Sequence, residues 1–197
     1  MSISGAPHIG LFFGSFNPIH IGHLIIANAM AEHAGFSKVW FVVSPQNPFK
    51  PAKGLLHEFD RLDLVQAAIA DNSKLAVSDV EFHLPKPGYT IDTLNHLSEK
   101  YPDKKFSIIL GEDNLESLPR WKSPESIIEH YGIYVYPRPD VRSSALDNHP
   151  NVHKVDAPMV DISATYIRNC IRQGKSIRYL VPDVVEEMIR RKGFYLS

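Results

Sequence analysis

Short apolar runs alternate with longer amphipathic stretches along nearly the whole chain, and this alternation restricts the fold more than any other feature. Continuous apolar runs suit the strands of a parallel sheet that is covered on both faces. These patterns predict strands at 9–13, 38–44, 75–77, 106–110, 133–136 and 152–155, and helices at 21–33, 59–70, 90–100, 164–173 and 182–192. Alternation at this spacing predicts a doubly wound α/β fold, a mostly parallel sheet with helices on both faces, in one domain over residues 1–197.

The composition argues against several classes of protein. A formal net charge of −1 on 197 residues is not typical of a protein that binds nucleic acid through overall positive charge. A single cysteine, Cys170, excludes an intrachain disulfide. The longest apolar runs are far shorter than the roughly 20 residues that span a bilayer, and the N-terminal residues lack the pattern of a signal peptide. We therefore expect a cytoplasmic protein that acts without nucleic acid or membrane partners.

The turn after the first predicted strand carries the strongest chemical signal. In doubly wound folds, ligands bind outside the carboxyl ends of the strands. Here Gly14 permits a tight turn, and His20 and His23 begin the next helix with Gly22 between them. Because a helix N-terminus already attracts anions, two imidazole donors there predict a site for the phosphates of a nucleotide. The chain contains neither G-x-G-x-x-G nor the P-loop pattern, so the site is not of either of those types.

Two other interpretations of the histidine pair are open at this point. His20 and His23 could be ordinary histidines among the ten of the chain. They could also share a zinc ion, but zinc sites take three or four protein ligands, and no acidic residue or cysteine lies nearby in the sequence. The position of the pair, between a buried strand and a helix, favours the phosphate site over both.

The segment from Gly14 to His23 resembles the G-[TS]-F-[DN]-P-x-H-x-G-H signature of the nucleotidyltransferase superfamily. Later segments resemble those of the bacterial nicotinate-nucleotide adenylyltransferases, and the resemblance extends from residue 9 to about residue 184. It implies a Rossmann-like nucleotidyltransferase fold in which His20, His23 and Arg168 are catalytic and the helices from about residue 163 complete the ATP site. The implied ATP-binding residues are Gly14, Ser15, Phe16, His20, Gly22, His23, Gly111, Ser163, Thr165 and Arg168.

Some positions depart from the usual pattern of that family. Phe13 occupies a position where glycine is usual, and Asn17 replaces the usual aspartate. Phe49 precedes Lys50 where the family usually has histidine. The backbone amides of the first turn survive these changes, so we expect the phosphate site to persist.

The same resemblance implies a site for a pyridine mononucleotide, formed by Asn17, Lys50, Tyr89, Thr90, Asp113, Trp121 and Arg138. Thr90 is a candidate N-cap of the helix at 90–100. A helix N-terminus there would suit the carboxylate of a nicotinate ring, which favours the acid over the amide, and Trp121 offers a flat face to that ring. In a sheet of order 3-2-1-4-5, the strand before Asp113 lies beside the first strand, so Asp113 and His20 should flank one crevice.

The resemblance implies transfer of an adenylyl group from ATP to nicotinate mononucleotide, which yields deamido-NAD and pyrophosphate for NAD biosynthesis. Mg²⁺ would reach the site bound to ATP, without metal ligands from the protein. Adenylyl transfer to nicotinamide mononucleotide and a cytidylyltransferase activity are the alternatives within the superfamily. A nucleotide-binding sensor without catalysis is the alternative from a different class. The oligomeric state, including a homo-oligomer, is left open.

Overall fold

Six parallel strands form the sheet that positions every other element. The computed structural model describes residues 5–45, 54–86, 88–139, 141 and 143–196. The strands are β1 (His8–Gly14), β2 (Lys38–Val43), β3 (Leu75–Ser78), β4 (Lys105–Gly111), β5 (Ile133–Tyr136) and β6 (Val152–Lys154). They lie in the order β3-β2-β1-β4-β5-β6, and each neighbouring pair is parallel. This confirms the predicted fold class and the predicted order, with β6 added at the edge.

Most of the helices connect these strands, and the last two follow β6 in the chain. They are α1 (Ile21–His33), α2 (Glu58–Ala68), α3 (Thr90–Lys100), α4 (Glu112–Ser117), α5 (Pro124–Tyr131), α6 (Ala164–Arg172) and α7 (Asp183–Lys192). The five predicted helices are present within two residues of their predicted ends. Helices α4 and α5 and two 3-10 segments, Val80–His83 and Leu118–Arg120, were not predicted, because elements of one or two turns are too short to show a hydrophobic period.

The core lies on both faces of the sheet, as the continuous apolar runs require. Side chains alternate between the faces along each strand, so Leu11 packs in one apolar cluster and Phe12 in the other. Helices α1, α2, α6 and α7 cover the face that holds Phe12, and α3, α4 and α5 cover the opposite face. The carboxyl ends of the strands are left between these two helical layers.

The C-terminal helices attach directly to the turn between β1 and α1. The backbone amide of Ile21 donates to the carbonyl oxygen of Leu180 at 2.9 Å. From α6, the Arg168 guanidinium donates through Nη1 to the carbonyl oxygen of Asn17 at 2.7 Å. Cys170 in the same helix is buried and forms no disulfide.

Among the described residues, none of the helices combines the length and the apolarity that a bilayer span needs.

Candidate active site

The two histidines of the first turn form a stacked pair at the start of α1. His20 occupies the N-cap position with an extended backbone, and His23 lies three residues further on. The backbone amide of His20 donates to Nδ1 of His23 at 3.3 Å, and the two rings stack with their centroids 3.6 Å apart. Because Nδ1 of His23 accepts this hydrogen bond, the neutral ring carries its proton on Nε2. The Nε2–H group is therefore the available donor of His23.

Burial keeps both rings neutral at physiological pH. It lowers the pKa of His20 from 6.5 to about 4, with a smaller contribution from the charge of Arg138. Burial also lowers the pKa of His23 well below its usual value, and the neighbouring His20 and Arg138 act in the same direction. The two side chains thus act as neutral hydrogen-bond donors and not as cations in the unliganded protein.

One polar atom of this pair has no partner. Nδ1 of His20 is buried and makes no hydrogen bond with the residues that the structure describes. A Cβ atom at Gly22 would lie 3.1 Å from this nitrogen, so the glycine leaves the room that the imidazole occupies. A buried polar atom without a partner is unfavourable, and a ligand in the adjacent cavity could supply one.

Helix α6 approaches the histidines from the other side. Besides the carbonyl oxygen of Asn17, Arg168 contacts Thr165, to whose Oγ1 its Nη2 donates at 3.1 Å. Ser163 is the N-cap of α6, and its Oγ accepts a hydrogen bond from the amide of Tyr166 at 3.2 Å. The Ser163 hydroxyl therefore already accepts one hydrogen bond as the cap of α6. The start of α1, by contrast, has His20 and not Ser, Thr, Asp or Asn at its N-cap position.

A cavity of about 590 Å³ separates the histidine pair from α6, and we call it the histidine cavity. The predicted site residues that line it are Gly14, Ser15, Phe16, Asn17, His20, Gly22, His23, Asp113, Arg138, Ser163, Thr165 and Arg168. The predicted proximity of Asp113 and His20 to one crevice is confirmed. Asp113 forms an ion pair with Arg138, with 3.6 Å between Oδ1 and Nε. The cavity therefore combines neutral and cationic donors around one space.

A second cavity of about 250 Å³ contains Trp121, and we call it the tryptophan cavity. Of the predicted site residues it is lined by Gly14, Ser15, Tyr89, Thr90, Gly111 and Trp121. Both cavities share the walls formed by Phe12, Phe13, Gly14, Ser15, Asn114 and Tyr136. They are thus adjoining compartments that meet at the end of β1.

The start of α3 differs from the prediction. Tyr89, with an extended backbone, is the N-cap, and Thr90 is the first helical residue, so the prediction of Thr90 as the cap was wrong. No side chain caps this helix start, which leaves amides of its first turn for a ligand. Lys122 lies beside it, with Nζ 4.7 Å from the centroid of the Tyr89 ring and 2.9 Å from Oδ2 of Asp92.

The predicted residues are distributed between the cavities differently from the two substrate sites that the resemblance implies. Gly111 lines the tryptophan cavity, while Asn17, Asp113 and Arg138 line the histidine cavity. The side chain of Asn17 is largely engaged with the protein, because its Nδ2 donates to the carbonyl oxygen of Gly54 and its Oδ1 accepts from the amide of Leu56. Lys50 lies outside the described residues.

Two buried charged residues at the site were missed by the sequence analysis. Arg61 is 0% exposed and binds backbone carbonyl groups at the ends of β1 and β2. Arg61 lies on the same buried face of α2 as Leu64, Val65 and Ala68. In the sequence, a charged residue at a position where the helical period expects an apolar one would have indicated it.

Glu81, the second of these residues, lines the tryptophan cavity. Burial raises the pKa of its carboxyl group, and hydrogen bonds from Ser44 and Thr93 lower this pKa by a smaller amount. The hydroxyl of Thr93 donates to Oε1 of Glu81 at 3.0 Å. Glu81 has no comparable sequence signal, because the 3-10 segment that carries it is too short for a periodic pattern.

The residues that the structure describes do not form a cage for a metal ion. Within the described ranges, no group of three or more histidine, cysteine, aspartate or glutamate side chains is arranged to hold one. Asp113 is paired with Arg138 and Asp92 with Lys122. The donor set of the histidine cavity therefore suits the anionic oxygens of a nucleotide better than a directly coordinated cation.

The chain is similar over most of its length to proteins of one kind. Residues 11–170 match the family described as cytidylyltransferase-like. The chain is 60% identical over 187 residues to a probable nicotinate-nucleotide adenylyltransferase of Cytophaga hutchinsonii, which covers 95% of this chain and 97% of that protein. A protein of the same description from Flavobacterium johnsoniae is 51% identical over 189 residues, or 95% of this chain and 98% of that protein. The solved structure of Plasmodium falciparum nicotinic acid mononucleotide adenylyltransferase complexed with NaAD has the same fold, with a TM-score of 0.81 at 19% identity over 95% of this chain and 97% of that one.

Proposed function

The chain belongs to the cytidylyltransferase-like family and, within it, to the nicotinate-nucleotide adenylyltransferases, and on this premise we propose that it transfers the adenylyl group of ATP to nicotinate mononucleotide. The observation that carries this proposal is the pair of adjoining compartments. One is rich in hydrogen-bond donors and the other is lined by the half-buried ring of Trp121, and they meet at Gly14 and Ser15. Two different substrates with a shared point of reaction need such an arrangement.

The proposed reaction is a direct displacement at phosphorus. A phosphate oxygen of the mononucleotide attacks the α-phosphorus of ATP, a new P–O bond forms, and the bond to the bridging oxygen of the β-phosphate breaks. Deamido-NAD and pyrophosphate are the products. Because the attacking oxygen is already ionised, the enzyme needs neither a general base nor a covalent intermediate. Its tasks are alignment of the two substrates and stabilisation of negative charge.

We assign ATP to the histidine cavity. His20, His23 and Arg168 would contact its phosphates, as would Thr165 and the amides of the turn at Ser15. The neutral state of the two histidines supports this assignment, because each ring can donate a hydrogen bond without a charge that must be compensated in the unliganded protein. The other ATP-binding residues of this proposal are Gly14, Phe16, Gly22, Gly111 and Ser163, and Gly111 would act from the tryptophan cavity.

We assign the pyridine ring to the tryptophan cavity, against Trp121. The start of α3 lies in this cavity without a side-chain cap, and Arg120 and Lys122 also line it. Free amides and cations favour a carboxylate substituent over a carboxamide, so this environment supports nicotinate as the preferred base. Tyr89 and Thr90 would border the ring at the helix start.

The ribose and phosphate of the mononucleotide must reach the end of β1 to meet ATP. Asp113 and Arg138 line the histidine cavity near this point, which supports them as contacts for those groups. Lys50 keeps its proposed role as a phosphate contact from the loop after β2, and Asn17 would act mainly through its backbone, because its side chain is engaged with Gly54 and Leu56.

Enzymes of this kind use ATP together with a divalent cation, and we propose MgATP as the form that binds. Bound to the phosphates, the cation would neutralise charge on the leaving pyrophosphate, while the protein side chains bind the oxygens that the cation leaves free. We also propose that residues 1–197 act as one domain, in which the helices from about residue 163 complete the ATP site. The contact of Arg168 with Asn17 and the shared apolar cluster of α1, α6 and α7 support this organisation.

Measurement of pyrophosphate release tests the proposal. The purified protein is assayed with ATP and Mg²⁺ in the presence of nicotinate mononucleotide, nicotinamide mononucleotide or neither. We expect release with both mononucleotides and a higher kcat/KM for the nicotinate form. A parallel series with CTP in place of ATP tests the cytidylyltransferase alternative. Release with no combination would contradict the proposal and favour a nucleotide sensor.

A further inference from the structure

Arg61 is a fully buried cation at the back of the first turn. Its guanidinium group donates to four backbone carbonyl oxygens: Nε to Leu56 at 2.9 Å, Nη1 to Ser15 at 2.5 Å and to Ser44 at 2.7 Å, and Nη2 to Pro45 at 2.9 Å. These carbonyl groups belong to the ends of β1 and β2 and to the segment before α2. One side chain therefore joins three stretches of backbone around the carboxyl ends of two central strands.

The charge of Arg61 has no carboxylate partner. Within the described part of the chain, no Asp or Glu side chain lies within ion-pairing distance of its guanidinium. Burial lowers the pKa of this group, while Tyr195 and Glu58 act in the opposite direction from beyond contact distance, so the direct partners that offset its desolvation penalty are carbonyl dipoles. An apolar side chain could replace a buried arginine that served packing alone, whereas the hydrogen bonds of Arg61 orient backbone groups at the first turn.

Two hydrogen bonds to carbonyl groups determine the direction of two amides in the turn, and Arg61 donates one of them directly. The carbonyl oxygen of Gly14 accepts from the amide of Ser44 at 2.9 Å, and that of Ser15 accepts from Arg61. Both of the following peptide bonds are trans, and in a trans peptide the N–H points opposite to the C=O of the same unit. The amides of Ser15 and Phe16 therefore point away from β2 and from Arg61.

The same two amides border the histidine cavity. Neither finds an acceptor among the residues that the structure describes, and both residues line this cavity. From α6, Arg168 holds the carbonyl oxygen of Asn17 at 2.7 Å. Two arginines from different helices thus bind carbonyl groups of one short turn.

We propose that Arg61 is a positioning residue for adenylyl transfer. Its hydrogen bond to the carbonyl group of Ser15 directs the amide of Phe16 toward the phosphates of the bound nucleotide. Its hydrogen bond to the carbonyl group of Ser44 holds the residue whose amide binds the carbonyl group of Gly14, and this directs the amide of Ser15 to the same side. This inference rests on the proposed function. Donors that are fixed before the substrate binds need no reorganisation during the reaction. The charge of Arg61, which no carboxylate contacts directly, adds a favourable field for the same phosphates, since little solvent screens it.

Three variants separate positioning from stability. Arg61→Met removes the hydrogen bonds and the charge, Arg61→Lys keeps the charge but not the planar donor geometry, and Leu64→Ala is the matched control from the buried face of the same helix. We expect Arg61→Met to lower kcat by roughly 10²-fold, the scale for loss of a preorganised donor, with a much smaller change in KM for the mononucleotide. The kcat of Arg61→Lys should lie between the values of Arg61→Met and the wild type. Leu64→Ala should lower the melting temperature and leave kcat near the wild-type value.

A second readout does not depend on turnover. In a ¹⁵N-labelled sample, Mg²⁺-pyrophosphate should shift the amide signals of Ser15 and Phe16 in the wild type and in Leu64→Ala, and should shift them much less in Arg61→Lys. Equal shifts in the lysine variant, or a kcat of Arg61→Met close to that of Leu64→Ala, would overturn the inference. If Arg61→Met does not fold, the lysine variant decides by both readouts. If the wild type releases no pyrophosphate from ATP, the proposed function fails, and the amide shifts still decide the role of Arg61.

Discussion

The histidine cavity and the tryptophan cavity hold their polar groups in different ways. In the histidine cavity, His20 is 5% exposed. The side chains of Arg61 and Arg168 donate hydrogen bonds to carbonyl groups of the turn that precedes His20 and so hold this turn. In the tryptophan cavity, Tyr89 is 38% exposed, and Lys122 reaches it from a solvent-exposed ion pair with Asp92. Buried hydrogen bonds thus hold the polar groups of one compartment, and solvent-exposed contacts hold those of the other.

This difference follows from what each compartment would do. Stabilisation of charge on a transferring phosphoryl group requires donors in fixed positions, because donors that must reorient lose much of their effect. Recognition of a flat ring needs contact area and one or two polar groups at its edge. Changes to the histidine cavity should therefore affect mainly kcat, and changes to the tryptophan cavity should affect mainly the KM for the mononucleotide.

The largest expected effect is on kcat when the donor of His23 is removed. His23→Ala should lower kcat by on the order of 10²-fold or more, because Nε2–H is a fixed neutral donor beside the phosphates. Steady-state kinetics with saturating ATP and nicotinate mononucleotide measure this effect. His33→Ala, at the exposed end of the same helix, is the control and should keep the wild-type kcat. A His23→Ala enzyme with nearly normal turnover would show that the cavity does not act as proposed.

A second effect concerns stability in acid. The pKa of His20 is about 4 in the folded protein against 6.5 for an ordinary histidine, so between these values the unfolded chain binds a proton that the native state does not. The free energy of unfolding should therefore fall as the pH decreases from 6.5 to 4, and His20 should account for on the order of a few kcal/mol of this decrease. Above pH 6.5 both states leave His20 neutral, so its stabilising effect is fully present and no longer changes with pH. His23 acts in the same direction.

Urea unfolding at a series of pH values tests this expectation. The difference in unfolding free energy between the wild type and His20→Asn should change with pH across this window and be constant above it. A difference that does not vary between pH 4 and 6.5 would mean that His20 titrates normally in the folded protein.

The smallest of the three effects tests the tryptophan cavity. Trp121→Ala should raise the KM for nicotinate mononucleotide by about tenfold, in line with the 1–3 kcal/mol that base–aromatic stacking contributes, and leave the KM for ATP within about twofold. Trp121→Phe keeps a flat ring and should recover most of the loss. Equal increases in both KM values would argue against a separate pyridine compartment.

Much of the fold could be predicted from the sequence because it depends on local patterns. Apolar runs and helical periods place the strands and the longer helices, and the alternation of strands with helices favours parallel strands joined by right-handed connections. The capping of α6 by Ser163 is also a local property, and the structure confirms it. The shift of the α3 cap from Thr90 to Tyr89 shows the limit, because the backbone conformation before a helix depends on how the chain arrives there.

Some features of the candidate site could not be predicted, because they depend on contacts between distant residues. The sequence does not show that Arg61 bonds to Ser15, 46 positions away, or that Arg168 bonds to Asn17, 151 positions away. It also does not divide the site residues between two cavities, since Gly111 and Asp113 are only two positions apart but line different ones.

The sequence by itself determined where the strands and longer helices lie and the types of donors near the ends of the strands, because period and turn chemistry act within a few residues. Tertiary structure alone decided which donors are neutral, which carbonyl groups are held, and where one compartment ends and the next begins. The physical reason is that burial and long-range hydrogen bonds decide charge state and orientation, and both arise only when separate elements pack together.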